Sequence, residues 1–319
     1  MVDNRRILVT GGAGFIGARL VRTLCDAGAR PCVLVNSTGM WPPWRIRELR
    51  SQICLHEANL LDLLALQRVL ESHPCDVLYH LAAFSHPGRS WARVQECYRV
   101  NVEGTLNIIS ALPLRRGSAH VVYASTSEVG GDVDSSNEEV RLRAAASNPY
   151  AVSKLAGEDV CRLYVAQGGM TATLVRIHNV YGPGQSPDRV IPEAIVAAMA
   201  DKDLPMTTGT QTRDFVHVDD VAQALFTIGD RDPAIGTRVI ELASGVSTQI
   251  REAVERVYAR VGSKGRPILA AIASRSNEIW AVHGDATALR ELLGRPPLLL
   301  NPGLDRTIKW YRDHAELFV

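Results

Sequence analysis

Two side chains with acid–base chemistry, Tyr150 and Lys154, stand four positions apart in the sequence. On a helix this spacing puts both on one face, so the phenol and the ammonium would be neighbours. A tyrosine has a pKa of about 10 in water, and a nearby cation favours its phenolate form. About 4 kcal/mol of such stabilisation would bring that pKa close to neutrality and make Tyr150 a general base. The alternative is an ordinary solvated helix face that matches the same pattern.

A second polar group, Ser125 to Glu128, directly follows the apolar segment His120–Ala124. In open sheets of parallel strands, ligands bind at the carboxyl ends of the strands. We therefore expect Thr126 and Glu128 at a ligand-binding edge. The alternatives are a hydroxyl that only caps the strand and an acid that is structural or faces solvent.

A glycine-rich turn is the chain's candidate phosphate site, and it reads Thr10-Gly11-Gly12-Ala13-Gly14-Phe15-Ile16-Gly17. It follows the apolar run Ile7–Thr10 and opens the amphipathic stretch Phe15–Ala27. Glycines let the backbone approach a pyrophosphate, and the N-terminus of a helix supplies free N–H donors and a positive dipole. The G-x-x-G-x-x-G spacing differs from the usual G-x-G-x-x-G fingerprint, so a tight turn without a ligand stays the alternative.

The elements that must position these residues alternate between short apolar runs and amphipathic stretches. This rhythm predicts an α/β fold, a Rossmann-type doubly wound parallel sheet with helices on both faces, together with a smaller C-terminal substrate-binding domain. We expect a dinucleotide-binding domain over residues 1–178 plus about 214–242, and a cap over 179–213 plus 243–319. Trp91–Ala111 and Tyr150–Gln167 are two of the predicted helices.

Composition excludes several classes of protein. The 319 residues carry 35 Lys and Arg against 34 Asp and Glu, and 46% are hydrophobic. This balance disfavours disorder and non-specific binding of nucleic acid or membranes. Charge at the N-terminus and the lack of a long apolar run lead us to expect a cytoplasmic protein. Six cysteines without a C-x-x-C pair or a histidine at zinc-ligand spacing predict scattered core thiols and no metal site.

Beyond the two motifs, several segments carry a family resemblance. They are His80-Leu-Ala-Ala83, Asn101-Val-Glu-Gly-Thr105, the segment from Asn148 to Glu158, the segment from Arg176 to Gln185, and the segment from Thr212 to Asp220. Together they resemble the extended short-chain dehydrogenase/reductases of the nucleotide-sugar epimerase/dehydratase family, over nearly the whole chain. The resemblance implies a bound NAD that oxidises a sugar hydroxyl, usually at C4, before a second step.

The resemblance also implies roles for individual residues. Tyr150 would remove the hydroxyl proton, Lys154 would hold the cofactor ribose and lower the pKa of Tyr150, and Thr126 would hydrogen-bond the reacting oxygen. The residues expected at the cofactor are Gly11, Gly14, Phe15, Ile16, Gly17, Asn36, Ser37, Asn59, Leu60, Leu81, Ala82, Ala83, Tyr150 and Lys154. NADP is the alternative cofactor, because Val35 replaces the usual acid and Arg45 or Arg47 could pair with a 2′-phosphate. Trp41 and Trp44 would stack on adenine or anchor the loop.

Glu128 bears on the type of reaction. By the resemblance, an acid two positions after Thr126 is typical of dehydratases and uronate decarboxylases, and Thr126-Ser127-Glu128 resembles the UDP-glucuronate decarboxylases. Against decarboxylation, Val282 replaces an arginine of those enzymes. We therefore expect a dehydratase or decarboxylase, with an NDP-sugar 4-epimerase as the alternative. A non-catalytic dinucleotide-binding or redox-sensing protein is the alternative from another class.

The same resemblance predicts the substrate contacts. Asn179, Arg213 and Arg275 would bind the diphosphate or sugar of a UDP- or dTDP-linked substrate, with ion-paired surface arginines as the alternative for the last two. His178 is either a core imidazole or a second proton carrier beside the sugar. No nucleic acid or membrane partner is expected, and a homodimer is expected through helices such as Trp91–Ala111.

Overall fold

The computed structural model describes residues 5–36, 44–112, 119–130, 148–231, 236–275 and 278–317. The chain divides into two compact units. The first takes the described residues within Met1–Val129, Ala144–Ile177 and Ala222–Ile240, and the second takes those within His178–Val221 and Glu241–Val319. The segment that returns to the first unit thus begins at Ala222, later than the expected position near residue 214.

The first unit is built on a parallel sheet. Its strands are β1 (Ile7–Thr10), β2 (Cys32–Val35), β3 (Cys54–Glu57), β4 (Val77–His80), β5 (His120–Thr126) and β6 (Thr171–Ile177), and β10 (Thr237–Leu242) completes the sheet. The order is β10-β6-β5-β4-β1-β2-β3, and every pair from β3 to β6 is parallel. Almost every residue of β1, β2, β4 and β5 is buried, as expected for strands covered on both faces. The predicted Rossmann-type sheet is confirmed.

Helices connect these strands in the β-α-β rhythm that the sequence predicted. They are α1 (Phe15–Asp26), α2 (Leu63–Ser72), α3 (Pro87–Ser90), α4 (Val94–Tyr98), α5 (Gly104–Ser110), α6 (Pro149–Ala166) and, later in the chain, α8 (Val218–Asp230). A core of aliphatic side chains lies between the sheet and the helices, and it includes Leu8, Leu66, Leu78, Ile108 and Leu174.

The predicted helix Trp91–Ala111 is interrupted. Between α4 and α5, Arg99–Glu103 forms a π-helical turn. Inside this turn Asn101 is buried, and its side chain accepts from the Phe84 N–H at 2.7 Å and donates to the Ser153 hydroxyl at 2.8 Å. A π turn carries one extra residue, which lets Asn101 face inward, and such turns are common at functional sites.

The second unit has its own small sheets and helices. Its elements are β7 (Asn179–Tyr181), α7 (Val190–Met199), β8 (Leu204–Pro205), β9 (Thr212–His217), β11 (Ser247–Gln249), α9 (Ile250–Val261), β12 (Pro267–Ile268), α10 (Thr287–Leu293) and α11 (Leu300–Asp313). β9 pairs antiparallel with β11 and parallel with β7, which is why residues 212–217 belong to this unit. Tyr181, Ile195, Val254, Leu304 and Tyr311 contribute to its core.

All six cysteines are free thiols. Five are buried and Cys54 is half-buried. They fit the expected core thiols, and the register of β2 against β3 places one pair, Cys32 and Cys54, opposite each other. Among the described helices, none combines the length and apolar character needed to cross a membrane.

Candidate active site

The turn between β1 and α1 lets another backbone segment approach closely. Gly11 has a φ of 68°, in the left-handed region that favours glycine, and a Cβ there would lie 2.6 Å from the Ala82 nitrogen. A Cβ on Gly17 would collide with the Gly11 carbonyl oxygen. Gly14 precedes α1, whose first turn has no acidic residue and no side-chain cap. The N-terminus of this helix is therefore open to an anion.

A cavity of about 280 Å³ lies beside this turn and is lined by residues of the first unit. Its lining is Thr10, Gly11, Ala13, Gly14, Leu34, Val35, Asn36, Ala58, Asn59, Leu60, Ala82, Ala83 and Val100. The structure thus brings together half of the residues expected at the cofactor, and Tyr150 and Lys154 are not part of the lining. Phe15, Ile16, Gly17 and Leu81 adjoin the lining in sequence without being part of it, and Ser37 lies outside the described residues.

The end of β2 is neutral where an acid was the expected family feature. Val35 is buried and Asn36 is exposed, and both line the cavity. In the segment that follows, the Arg45 guanidinium lies 4.4 Å from the ring centroid of Trp44, and Arg47 is exposed. Trp41 lies outside the described residues.

A buried hydrogen-bond chain connects the cavity wall to the π turn. The Ala82 N–H donates to the Thr10 hydroxyl at 3.2 Å, and that hydroxyl lies 2.7 Å from His80 Nδ1. His80 Nε2 lies 3.0 Å from the Thr105 hydroxyl, which donates to the Asn101 carbonyl at 2.6 Å. Because Thr105 has given up its only proton, His80 must donate from Nε2 and accept at Nδ1. Burial, then Lys154, lowers the pKa of His80 to about 3, so the ring is neutral.

Lys154 is a buried residue, 2% exposed. Its side chain lies in α6, and Nζ is 4.2 Å from the centroid of the Tyr123 ring. Among the described residues, none accepts a hydrogen bond from Nζ and none forms an ion pair with it. Burial lowers the pKa of Lys154 to about 8. Burial makes the charged form of this side chain costly, and a ligand that brings hydroxyl oxygens, as the ribose of a dinucleotide does, would offset that cost.

Tyr150 lies one helical turn before Lys154 and is 9% exposed. Its backbone carbonyl accepts from the Ser153 hydroxyl at 2.7 Å, and Asn101 holds that hydroxyl in turn. Both side chains influence Tyr123. The Tyr150 phenol contributes electrostatically to the raised pKa of Tyr123, and the Lys154 ammonium lies over the Tyr123 ring. The expected pair is therefore together on a buried part of α6, and the solvated helix face is excluded.

Asn148 links Glu128 to the start of α6. The Asn148 side-chain oxygen accepts from the Ala151 N–H at 2.9 Å and caps the helix. Its side-chain nitrogen donates to the Glu128 carboxylate at 2.7 Å. The Glu128 N–H in turn donates to the buried Thr126 hydroxyl at 3.3 Å. The sequence analysis assigned no role to Asn148, although the residue stands in the quoted motif and an Asn before Pro is a recognisable helix start.

Glu158 is a second residue whose role the sequence analysis missed. Its carboxylate is fully buried and accepts from Arg176 twice at 2.9 Å, from Arg162 at 2.9 Å and from the Ser125 hydroxyl at 2.6 Å. Burial alone would raise the pKa of Glu158, but these donors outweigh it and hold that pKa below its usual value. Glu158 thus fastens α6 to the ends of β5 and β6, next to Thr126.

In the second unit, His178 is buried and its Nε2 lies 2.6 Å from Glu241 Oε1. Because a carboxylate only accepts, Nε2 carries the proton, and Nδ1 is buried with no hydrogen-bond partner among the described residues. The next residue, Asn179, begins β7 and is exposed. The open alternatives for His178, a core imidazole or a proton carrier, both fit this arrangement.

The two arginines expected at the diphosphate differ in their surroundings. Arg213 donates to Glu278 at 2.7 Å and to the Ile279 carbonyl at 2.7 Å, so it is ion-paired. Arg275 is exposed. The neighbour of Arg213 in the quoted motif, Asp214, is fully buried and accepts from the backbone and hydroxyl of Ser244.

A sequence model described as the NAD dependent epimerase/dehydratase family matches residues 7–242. The UDP-N-acetyl-alpha-D-glucosaminuronate decarboxylase of Bacillus cytotoxicus is 31% identical, over 97% of this chain and 98% of that protein. The dTDP-glucose 4,6-dehydratase of Streptomyces griseus is 30% identical, over 97% and 94%. A solved epimerase structure from Methanothermobacter thermautotrophicus superposes with a TM-score of 0.89 at 29% identity, covering 99% of this chain and 94% of that one.

Proposed function

Because the chain belongs to the NAD dependent epimerase/dehydratase family, we propose that it modifies a nucleotide-linked sugar by transient oxidation at C4. The substrate class is an NDP-hexose or NDP-hexuronate carried by uridine or thymidine diphosphate. The step after oxidation is dehydration or decarboxylation. NAD is the cofactor of the family, and the cavity beside the glycine turn and the buried Lys154 ammonium both suit it.

The observation that carries this proposal is the hydrogen bond between Asn148 and Glu128. Through Asn148, which caps α6, the Glu128 carboxylate is tied to the helix that bears Tyr150 and Lys154. This hydrogen bond holds a carboxylate beside the helix that bears the proposed base, which supports a role for Glu128 in a second proton transfer. A C4 epimerisation requires no proton transfer to carbon, whereas dehydration and decarboxylation do.

The residues of the first unit divide the first step between them. Gly11 and Gly14 leave space for the pyrophosphate at the start of α1, and Lys154 donates to the ribose hydroxyls. Bound NAD would accept the hydride that leaves C4. Tyr150 removes the C4 hydroxyl proton, and the Thr126 hydroxyl donates a hydrogen bond to the same oxygen.

Glu128 serves the second step. A ketone at C4 acidifies the hydrogen on C5 and makes a C6 carboxylate a β-keto acid. In a hexose, Glu128 removes the C5 proton and assists the loss of the C6 hydroxyl as water; the hydride taken from C4 would return to C6 and a proton to C5, so that the net change is the loss of one water. In a hexuronate, CO₂ leaves C5 and Glu128 returns a proton to that carbon; the hydride would return to C4, so that the net change is the loss of CO₂. The Asn148 amide, 2.7 Å from the carboxylate, keeps it oriented for either transfer.

Residues of the second unit are proposed for the substrate. Asn179 and Arg213 would contact the sugar or the diphosphate, with Arg275 as a further cation. Val282 is buried and apolar, and the adjacent His283 is exposed and lies 2.6 Å from the Ser247 hydroxyl. Because Val282 cannot hold a carboxylate, dehydration is favoured over decarboxylation. A 4-epimerase is the second candidate, since one similar solved structure is an epimerase.

Mass spectrometry of reaction mixtures tests the proposal. The purified protein is incubated with NAD and with UDP- and dTDP-linked hexoses and hexuronates. We expect a product lighter by one water or one CO₂, and none from the Tyr150→Phe variant. A product of unchanged mass with inverted C4 would replace the first candidate with the second. Full turnover by Tyr150→Phe would refute the role of Tyr150 in both.

A further inference from the structure

Two cysteines and two histidines meet on one face of the sheet, away from the residues proposed for catalysis. Cys32 and Cys54 are register partners on β2 and β3, and His56 lies two residues along β3 on the same face as Cys54. The Cys32 and Cys54 sulfurs and a His56 ring nitrogen all lie within 4.8 Å of one another. His73, which follows the last residue of α2, completes the cluster.

The two sulfur–nitrogen distances at Cys54 are close to those of a tetrahedral site, whereas His73 is not among the three residues whose ligand atoms all lie within 4.8 Å of one another and would have to move closer to bind the same ion. Cys54 Sγ is 3.3 Å from His56 Nε2 and 3.5 Å from His73 Nε2, and the two imidazole centroids are 4.3 Å apart. With zinc bonds of about 2.3 Å to sulfur and about 2.0 Å to nitrogen, a tetrahedron separates sulfur from nitrogen by about 3.5 Å.

The surroundings of His73 orient it as a ligand. The Ser72 hydroxyl donates to the Arg68 carbonyl at 2.8 Å and lies 3.0 Å from His73 Nδ1. With its proton engaged, this hydroxyl accepts from Nδ1–H, and in the neutral ring the lone pair is then on Nε2, the atom next to the Cys54 sulfur. Zinc-binding histidines typically have such a second hydrogen bond.

We propose that Cys32, Cys54, His56 and His73 bind one zinc ion. Two thiolates and two imidazoles are the soft sulfur and nitrogen donors that zinc prefers. Binding replaces the two thiol protons, which are released to solvent. Cys54, His56 and His73 are half-buried, so the metal has a path of entry.

The bound ion would act on structure. It joins the edge strand β3 to β2 and to the end of α2. His56 is the register partner of Leu34, which lines the cavity beside the glycine turn. Zinc would therefore hold together the edge of the sheet that forms one cavity wall, and its binding free energy would add to the stability of the first unit.

Metal analysis of the full chain tests this site. After chelator treatment and removal of the chelator, we expect reducing conditions plus zinc to restore one zinc per chain. Cobalt should give the intense visible absorption of a tetrahedral thiolate site. Cys54→Ser and His73→Gln should abolish that absorption, while Cys25→Ser, which removes a buried thiol elsewhere in the same unit, should leave it unchanged.

The site also predicts a graded effect. Ser72→Ala keeps all four ligands but removes the partner of His73 Nδ1, so zinc affinity should fall about 10-fold. Thermal unfolding with and without zinc serves as the second readout, because only proteins with the intact cluster should gain stability. Failure of the wild-type chain to bind zinc or cobalt would overturn the proposal. So would binding that persists in Cys54→Ser, or a Cys32–Cys54 disulfide in the protein as isolated.

Discussion

Lys154 lowers the stability of the folded chain at the position where a role in cofactor binding is proposed. Its side chain is buried against the Tyr123 ring, and this burial lowers the pKa of the ammonium, a state that the folded chain tolerates at a cost. A dinucleotide ribose would offer acceptors to this ammonium. The loss of stability and the proposed binding role therefore both belong to the Lys154 Nζ atom.

Replacing this ammonium separates the two effects. Lys154→Met should abolish turnover but raise the free energy of unfolding of the cofactor-free protein. The fall in the Lys154 pKa from 10.5 to about 8 corresponds to about 3 kcal/mol. This value is an upper limit for the gain in the free energy of unfolding, because the contact with the Tyr123 ring already offsets part of the cost of burial.

The stability difference between the wild-type chain and Lys154→Met should depend on pH. The pKa of Lys154 is lower in the folded than in the unfolded chain, so the wild-type penalty is full below pH 8 and disappears as pH rises to 10.5. Urea unfolding of both proteins across that range should show the advantage of Lys154→Met shrinking with pH. An advantage that stays constant, or a less stable variant, would contradict the burial of an unpaired cation.

At this scale the sequence predicted residue types well and their surroundings poorly. The spacing of Tyr150 and Lys154 was enough to predict a neighbouring pair on a helix. The burial of Lys154 depends on Tyr123 in β5 and on His80 in β4, which are distant in sequence. The cysteine–histidine cluster was missed because its members meet through strand register and through the end of α2 rather than through sequence spacing.

The element that carries the proposed chemistry is α6, and two devices fix it. Asn148 caps its start, and Glu158 anchors its middle to β5 and β6 through Ser125 and Arg176. Both residues stand in the segment that carried the family resemblance. Their hydrogen bonds hold the helix in place, which Tyr150 and Lys154 alone would not do.

Removing the buried carboxylate should loosen this helix. Glu158→Gln leaves Arg176 without its partner and should lower the free energy of unfolding by about 3 kcal/mol, and turnover should fall with it. The adjacent Asp159→Asn is the matched control. Asp159 also pairs with Arg162 but is 67% exposed, so its loss should change stability by about 0.5 kcal/mol or less. Equal effects of the two substitutions in urea unfolding would show that burial of Glu158 is not what matters.

Most elements of the first unit could be predicted because their apolar periodicity is strong. The break at Arg99–Glu103 could not, because it depends on the contacts of Asn101 with Phe84 and Ser153. In the second unit, the motif from Thr212 to Asp220 contains the strand β9, which the sequence analysis did not predict. Its partners β7 and β11 have three residues each, too few to produce a periodic signal.

For the whole molecule, the proposed homodimer has a candidate surface in the first unit. Exposed apolar side chains lie at the start of the Trp91–Ala111 segment and on α5 and α6. They are Trp91, Val94, Tyr98, Leu106, Val152 and Leu163. Burying such a set between two copies of the chain would remove it from water.

Substitution at this surface tests the dimer. Leu163 is 58% exposed, and Leu163→Glu should convert a dimer to monomers by placing a charge in the apolar contact. Leu64→Glu, at a 64% exposed leucine on α2, is the matched control and should leave the dimer intact. Sedimentation equilibrium distinguishes the two. A wild-type chain that is monomeric, or a dimer unaffected by Leu163→Glu, would contradict this surface.

The balanced charge of the whole chain, with 35 basic and 34 acidic residues, is consistent with anion binding by local groups. In the proposed function, the open helix N-terminus after Gly14 and single arginines such as Arg213 would bind phosphate without a broad positive surface. In the proposed function, the type of reaction depends on Glu128, the residue proposed to transfer a proton at carbon, which a simple return of hydride to C4 does not require.

The most direct test of that claim is the reaction in D₂O, followed by mass spectrometry and NMR of the nucleotide sugar. We predict that the wild-type product has lost water or CO₂ and carries one solvent deuterium at C5. Glu128→Gln should form this product at least about 100-fold more slowly while still binding NAD. A product of unchanged mass, inverted at C4 and free of deuterium, formed equally fast by Glu128→Gln, would contradict the account.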